Sequence, residues 1–206
     1  MNIHIIDGFY NNINLNTLLE NSSEYTWKFS RKDTADDLYW TVYVYGKTYD
    51  VDNPQLKVDY RNKFQEIEIL WSEFSNKFNV PFENLDSCYL NGITHGLEAF
   101  AHTDSYSYTD TTVILYLCED WNLHWGGETV FFDQEFVKDN PAHEVFYKAN
   151  IVKSVLPRYN RVVIFDSHIM HAVRPISKSF KGLRKTLMFK LKDISVEKIM
   201  ENYKCN

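Results

Sequence analysis

Cysteine is scarce in this 206-residue chain, and what there is forms no pattern. Cys88, Cys118 and Cys205 stand at no zinc-holding spacing, and three thiols cannot close a disulfide framework. Cys88 and Cys118 fall in apolar, strand-like runs, so they read as buried thiols of a reducing compartment. There is no basic tract: 22 Lys and Arg face 28 Asp and Glu, for a formal charge of -6. That balance argues against a nucleic-acid partner. No apolar run reaches membrane-spanning length. The opening Met1-Asn-Ile-His-Ile-Ile-Asp-Gly lacks both the basic region and the apolar stretch of a secretory leader. A cytoplasmic protein that does not enter a membrane is expected. Repeats, linkers and low-complexity segments are also missing, and the length fits one domain, 1–206.

Aromatic residues are abundant: 14 Tyr and 14 Phe lift the aromatic share to 16%. Many sit in β-favouring runs. A short strand is expected over 2–6, a short helix around Ile13 to Leu19, and strands around 25–30 and 38–45. Over 55–79 the residues Tyr60, Phe64, Ile67, Trp71, Phe74 and Phe78 recur at steps of four and three. That stripe is one face of a helix, stopped by Asn79-Val-Pro81, and it reads as core packing. From Leu85 the chain is β-dominated. Strands are expected at 86–90, 99–104, 112–118, 128–132, 151–155, 161–166, 168–173 and 185–190, with a long loop over 133–149 and a C-terminal helix from Ser195. Eight short strands with turn residues between them fit a sandwich or jelly roll. Residues 1–84 would support a catalytic core of about 85–192.

The chemistry gathers at His102-Thr-Asp104 and at His171. Residues two apart on a strand share a face, so an imidazole and a carboxylate stand side by side. His171 follows the second strand-like run Arg161-Val-Val-Ile-Phe-Asp-Ser-His-Ile-Met-His. Two His and one carboxylate on one side of a metal leave positions open and suit non-haem Fe(II). Alone, a His-x-Asp triplet specifies little. Arg184 begins the strand Arg-Lys-Thr-Leu-Met-Phe-Lys; its fork matches a carboxylate bidentately, and Thr186 shares its face. Lys185 points to the other face. His4, His95, His124 and His143 read as loop or surface residues.

The ordered series of motifs over 85–192 resembles the prolyl 4-hydroxylase-like group of Fe(II)/2-oxoglutarate-dependent dioxygenases. It runs Cys88-Tyr89, His102-x-Asp104, Ile114-Leu-Tyr-Leu-Cys-Glu-Asp-Trp121 and Gly126-Gly-Glu-Thr-Val-Phe-Phe132. Then come Val155-Leu-Pro157, Asn160-Arg-Val-Val-Ile-Phe165, His171-x-Val-x-Pro175 and Arg184-x-Thr-Leu. The resemblance implies a mainly β, α+β fold: a double-stranded β-helix, or jelly roll, with helices packed on one side. It implies Fe(II) on His102, Asp104 and His171, with 2-oxoglutarate and O2 as cosubstrates and ascorbate in support. Arg184 corresponds to the partner of the far carboxylate of 2-oxoglutarate, and Tyr89 and Tyr116 to tyrosines that hydrogen-bond this cosubstrate.

The turn from His171 to Arg184 is longer than the family's. His168 competes with His171 as a ligand, but His171-Ala-Val-Arg-Pro fits the pattern better. The implied activity is hydroxylation of prolyl residues in a protein or peptide, or of a small metabolite. The loop Ser105–Thr109, with Tyr106 and Tyr108, would be a lid. Two other readings of the residues are a jelly-roll binding domain without catalysis and a two-His, one-carboxylate zinc hydrolase.

Overall fold

Alternating side chains account for the layers of this protein. The computed structural model describes residues 1–31, 38–48, 50–53, 56–135 and 148–204. In chain order the elements are β1 (Ile3–Asp7), α1 (Asn12–Asn21), β2 (Lys28–Arg31), β3 (Tyr39–Lys47), β4 (Lys57–Asp59), α2 (Gln65–Phe78), β5 (Leu85–Ile93) and β6 (Ala99–His102). They continue with β7 (Thr111–Tyr116), β8 (Thr129–Glu135), β9 (Ile151–Val155), β10 (Arg161–Asp166), β11 (Ile169–Val173), β12 (Arg184–Leu191) and α3 (Val196–Lys204).

The strands form two antiparallel sheets. One has the order β1-β10-β7-β12-β5-β3-β2, with β4 also on β3, and the other is β6-β11-β8-β9. From β5 onward the chain crosses repeatedly between them, leaving β10-β7-β12-β5 opposite β6-β11-β8-β9. That is a jelly roll, the double-stranded β-helix expected from the motifs. β1 and β3 then extend the larger sheet on either side.

The larger sheet is covered on both faces, so its strands are apolar at nearly every position. On β7 and β10, Val113, Leu115, Val162 and Ile164 point toward the helices. Ile114, Tyr116, Val163 and Phe165 point into the space between the sheets, where they meet Phe131 and Ile169 of the smaller sheet. On β12, Leu187, Phe189 and Leu191 join the helical side. The residues between them, Arg184, Thr186, Met188 and Lys190, line a pocket between the sheets. One strand therefore carries core on one face and the pocket on the other.

Helix α2 supplies most of the cover. Ile67, Leu70, Trp71, Phe74 and Phe78 are buried. The Phe74 ring lies 4.7 Å from that of Phe78 and 5.9 Å from those of Trp71 and Phe189. The helix ends as its sequence indicates: Asn79 takes the left-handed conformation and its N–H bonds back to Ser75.

The start of α2 differs from expectation. The stripe begins on a face that would fit a helix from 55, but Lys57–Asp59 instead pairs with β3, with Tyr45 opposite Asp59. A single turn of 3-10 helix at Arg61–Lys63 follows. Arg61 stabilises that turn: Nε donates to Asp59 at 2.8 Å, and the guanidinium lies 4.3 Å over the Phe82 ring. Val58 is buried between exposed neighbours, a period of two that three residues are too few to reveal. Strand β8 also runs on to Glu135, into the expected loop. The remainder of that loop through residue 147, with His143, lies outside the described residues, as does Cys205.

Candidate metal and cosubstrate site

Strands β6 and β11 are antiparallel neighbours, and their register sets His102 directly opposite His171. The two rings lie 4.5 Å apart. Strand β6 stops at His102, so Asp104 is not placed by strand alternation, as the expected strand 99–104 would have it. Its N–H donates to the Ser167 carbonyl at 2.9 Å, which turns the chain and brings the carboxylate back beside His102. Asp104 Oδ1 lies 3.5 Å from His102 Nε2, and Oδ2 lies 3.6 Å from His171 Nε2. One ligand atom from each residue falls within 4.8 Å of the other two.

The two imidazoles are held alike. His102 Nδ1 lies 2.7 Å from the Phe100 carbonyl, and His171 Nδ1 lies 2.9 Å from the Ile169 carbonyl. A carbonyl only accepts, so each Nδ1 carries the proton and each Nε2 presents a lone pair to the space around Asp104. His171 is 4% exposed, and burial pushes its pKa down to about 4 against the pull of the Asp104 charge. It is neutral at pH 7, the form that ligates metal. Burial opposes ionisation of Asp104, yet the Lys190 ammonium and the two histidines hold its carboxyl well below the usual carboxylate range. Two imidazoles that present Nε2 and a carboxylate, open on one side, fit non-haem Fe(II).

The same pocket holds Arg184, which is 2% exposed. Its Nε donates to the Gly127 carbonyl at 2.8 Å and one Nη to Thr129 Oγ1 at 3.2 Å. Tyr116 donates to the same Thr129 hydroxyl at 2.6 Å, and the guanidinium sits 5.2 Å from the centre of its ring. Burial raises the Tyr116 pKa, which keeps the phenol a donor. Among the described residues no carboxylate pairs with Arg184. A buried charge lacking a counter-ion is costly, and an anion bound beside it would offset that cost. The far carboxylate of 2-oxoglutarate matches that fork.

The longer turn before β12 has a physical role at this end of the pocket. Phe180 packs on Trp121 and Trp125, with ring centres 4.7 and 4.9 Å away. Trp121 Nε1 donates to the Gly126 carbonyl at 2.9 Å. Gly127, at φ +73°, lies so close that a Cβ there would meet the Trp121 ring at 3.0 Å and Arg184 Cδ at 3.2 Å. The aromatic cluster thus fixes the glycine whose carbonyl orients Arg184.

Tyr89 and Thr186 line the pocket, and so do Tyr39, Asn91, Thr129 and Lys190, which the motifs did not single out. Lys190 was legible in principle: it is six residues from Arg184 on one strand, and so on its face. His168 is outside the triad and packs on Tyr108, ring centres 4.5 Å apart. Lys185 faces the helices, where Nζ donates to Ser22 Oγ at 2.7 Å. Tyr106 and Tyr108 are exposed in a loop tied by its own hydroxyls, with Ser105 Oγ bonded to Asp110 at 2.6 Å.

The profile of the 2OG-Fe(II) oxygenase superfamily matches residues 87–189. No curated protein matched the sequence. Among solved structures, a prolyl-4-hydroxylase from Pseudomonas putida is 15% identical, with a TM-score of 0.54 over 92% of this chain and 91% of that one. An oxidoreductase of the 2OG-Fe(II) oxygenase family from Burkholderia pseudomallei is 13% identical, with a TM-score of 0.59 over 94% and 87%. A prolyl hydroxylase from Trichoplax adhaerens, solved with a hypoxia inducible factor peptide fragment, is 15% identical, with a TM-score of 0.56 over 99% and 86%. Identities this low carry the fold alone. The profile carries the family: with half the chain matched by it, this protein belongs to the 2OG-Fe(II) oxygenase superfamily.

Proposed function

We propose that the protein is a 2-oxoglutarate-dependent hydroxylase in which His102, Asp104 and His171 hold Fe(II) and Arg184 holds the far carboxylate of 2-oxoglutarate. The observation that carries this reading is the pairing of features in one pocket: a triad with both Nε2 atoms presented, beside a buried guanidinium with no carboxylate partner among the described residues. A hydrolase would have no task for Arg184, and a binding domain would have none for the triad. When bound, iron, 2-oxoglutarate and O2 supply the oxidising power that places one oxygen atom on a C–H carbon as the cosubstrate becomes succinate and CO2.

The chain's own part is positioning. The Phe100 and Ile169 carbonyls fix the imidazole planes. Thr112 Oγ1 donates to Asp104 Oδ2 at 2.7 Å and holds the carboxylate. Arg184, with the Tyr116 and Thr129 hydroxyls around it, forms the carboxylate cradle. Thr129 Oγ1 accepts from both neighbours and keeps its own proton for the incoming carboxylate. Tyr89 and Thr186 would complete the walls, and the exposed Tyr106 and Tyr108 of the loop Ser105–Thr109 would serve as a lid over a substrate.

Prolyl residues of a protein or peptide are the favoured substrate, and a small metabolite is the alternative. Two of the similar structures are prolyl hydroxylases, which is support at the level of fold. A single domain over 1–206 in a reducing, cytoplasmic setting completes the reading, supported by the free buried thiols Cys88 and Cys118.

The test is turnover. Protein with Fe(II), ascorbate and 2-oxoglutarate should release succinate and CO2 above a no-enzyme control, and His171→Ala should not. Proline-containing peptides, then free amino acids, should be screened by mass spectrometry for the gain of one oxygen. Iron-loaded wild type that consumes no 2-oxoglutarate beside any of them would leave a binding domain as the better reading.

A further inference from the structure

The pocket face of β12 ends in a second cation. Arg184, Thr186, Met188 and Lys190 follow one another along that face, and Lys190 Nζ forms an ion pair with Asp104 Oδ2. The Lys190 side chain is 10% exposed and that of Asp104 4%, so this is a desolvated pair. The same Oδ2 accepts from Thr112 and lies 3.6 Å from His171 Nε2. An ammonium group therefore already sits on the one anionic member of the triad. We infer that Lys190 sets the metal affinity of this site, acting as the counter-charge that holds Asp104 in place before metal arrives and weakening the binding of the divalent cation when it does. The inference rests on the triad being the metal site.

Both halves follow from elementary electrostatics. Stripped of Lys190, the metal-free site would bury a carboxylate whose remaining partners are a hydroxyl and two imidazoles, an expensive arrangement. The ammonium offsets that cost, so the site is assembled while empty. A divalent cation entering between His102, His171 and Asp104 then meets a positive charge on the same carboxylate. It has either to share the carboxylate, with Lys190 keeping Oδ2, or to displace Nζ. Each route raises the free energy of the loaded state relative to a site without the lysine. Nζ has somewhere to go. Asp104 and Lys190 also line a second, polar cavity, walled by Asp86, Ser105, Asp110, Ser167 and Lys192. Lys190 is thus a positioning residue: it acts on the metal through Asp104.

Metal titrations of the intact chain, under argon for Fe(II) and in air-stable form with Mn(II), test this. Lys190→Met removes the charge, Lys190→Gln removes it while keeping a hydrogen bond to Asp104, and Lys190→Arg keeps it. The glutamine variant keeps the test standing if the methionine variant does not fold. Expected are a gain of about tenfold or more in Mn(II) and Fe(II) affinity for the two neutral variants, about 1.4 kcal/mol or more, and an affinity near wild type for Lys190→Arg. In melts, the neutral variants should lose stability when metal-free and recover it on metal saturation, so their metal-induced rise in Tm exceeds that of wild type. A merely structural lysine would lower both melts together. Unchanged or weaker metal binding in both neutral variants, with wild-type binding intact, overturns the inference alone. Wild type that takes up neither metal overturns the triad reading, and this inference with it.

Discussion

Removing the charge of Arg184 while keeping most of its bulk, as in Arg184→Met, separates two losses that the structure allows to be estimated. The first is structural. The Gly127 carbonyl and Thr129 Oγ1 each lose a donor. An unsatisfied buried acceptor costs about 1–3 kcal/mol, and here the pocket can admit water, so about 1 kcal/mol is expected in melts. The second loss is in binding. If the guanidinium pairs with the far carboxylate of 2-oxoglutarate in this buried setting, deleting one partner costs about 3–5 kcal/mol. That is roughly a hundred- to a few thousandfold in Kd.

Calorimetry of the Mn(II)-loaded protein, in which turnover is silent, reads the difference directly. Mn(II) affinity should survive in the variant, because Arg184 is not among the grouped donors. Pyruvate, a 2-oxo acid without the far carboxylate, completes a cycle. Wild type should bind it far more weakly than 2-oxoglutarate, and the variant should bind the two about equally. A variant that holds 2-oxoglutarate within about threefold of wild type, or still prefers it strongly over pyruvate, would refute the assignment.

Other outcomes follow from the packing and the charges. Phe74→Ala empties a fully buried ring site between α2 and β12 and should cost about 3–5 kcal/mol in denaturant melts; an unchanged midpoint would mean the stripe is not core. Lys185→Ala unlatches β12 from the end of α1 at Ser22 and should cost about 1–2 kcal/mol without altering 2-oxoglutarate affinity. His171 is held near pH 4 in the fold against an ordinary 6.5, so the unfolded chain binds its proton first. Stability of the metal-free protein is full above about pH 6.5 and falls as pH drops toward 4, by on the order of 3 kcal/mol from this group. Urea melts in chelator at several pH values should show that slope, and His171→Gln should flatten it.

The parts of this protein that sequence reveals are those with a repeating physical signature. Strands β7, β10 and β12 are bounded by turn residues and their apolar runs are long enough to read. The stripe from Phe64 to Phe78 has the period of a helix buried along one face. Lys57–Asp59 hid inside that helix because three residues carry no period, and only the free edge of β3 makes them a strand. At the site, His102, Asp104 and His171 were legible as residue types. That Asp104 lies beyond the strand and is turned inward by the Ser167 carbonyl is a tertiary fact with no local signal. The cluster of Trp121, Trp125 and Phe180 behind Gly127 is likewise assembled by the fold from two segments far apart in sequence. Lys190 differs: its face was given by alternation from Arg184, and what could not be read was that the far end of that face reaches Asp104.

The central claim, that His102, Asp104 and His171 are the metal ligands, is tested most directly by anaerobic Fe(II) titration of wild type and single variants. Wild type and His168→Ala should each bind one Fe(II) per chain with similar affinity, since His168 packs on Tyr108 outside the triad. His102→Ala, Asp104→Ala and His171→Ala should each lose that site. Loss of iron in His168→Ala with retention in His171→Ala would contradict the account.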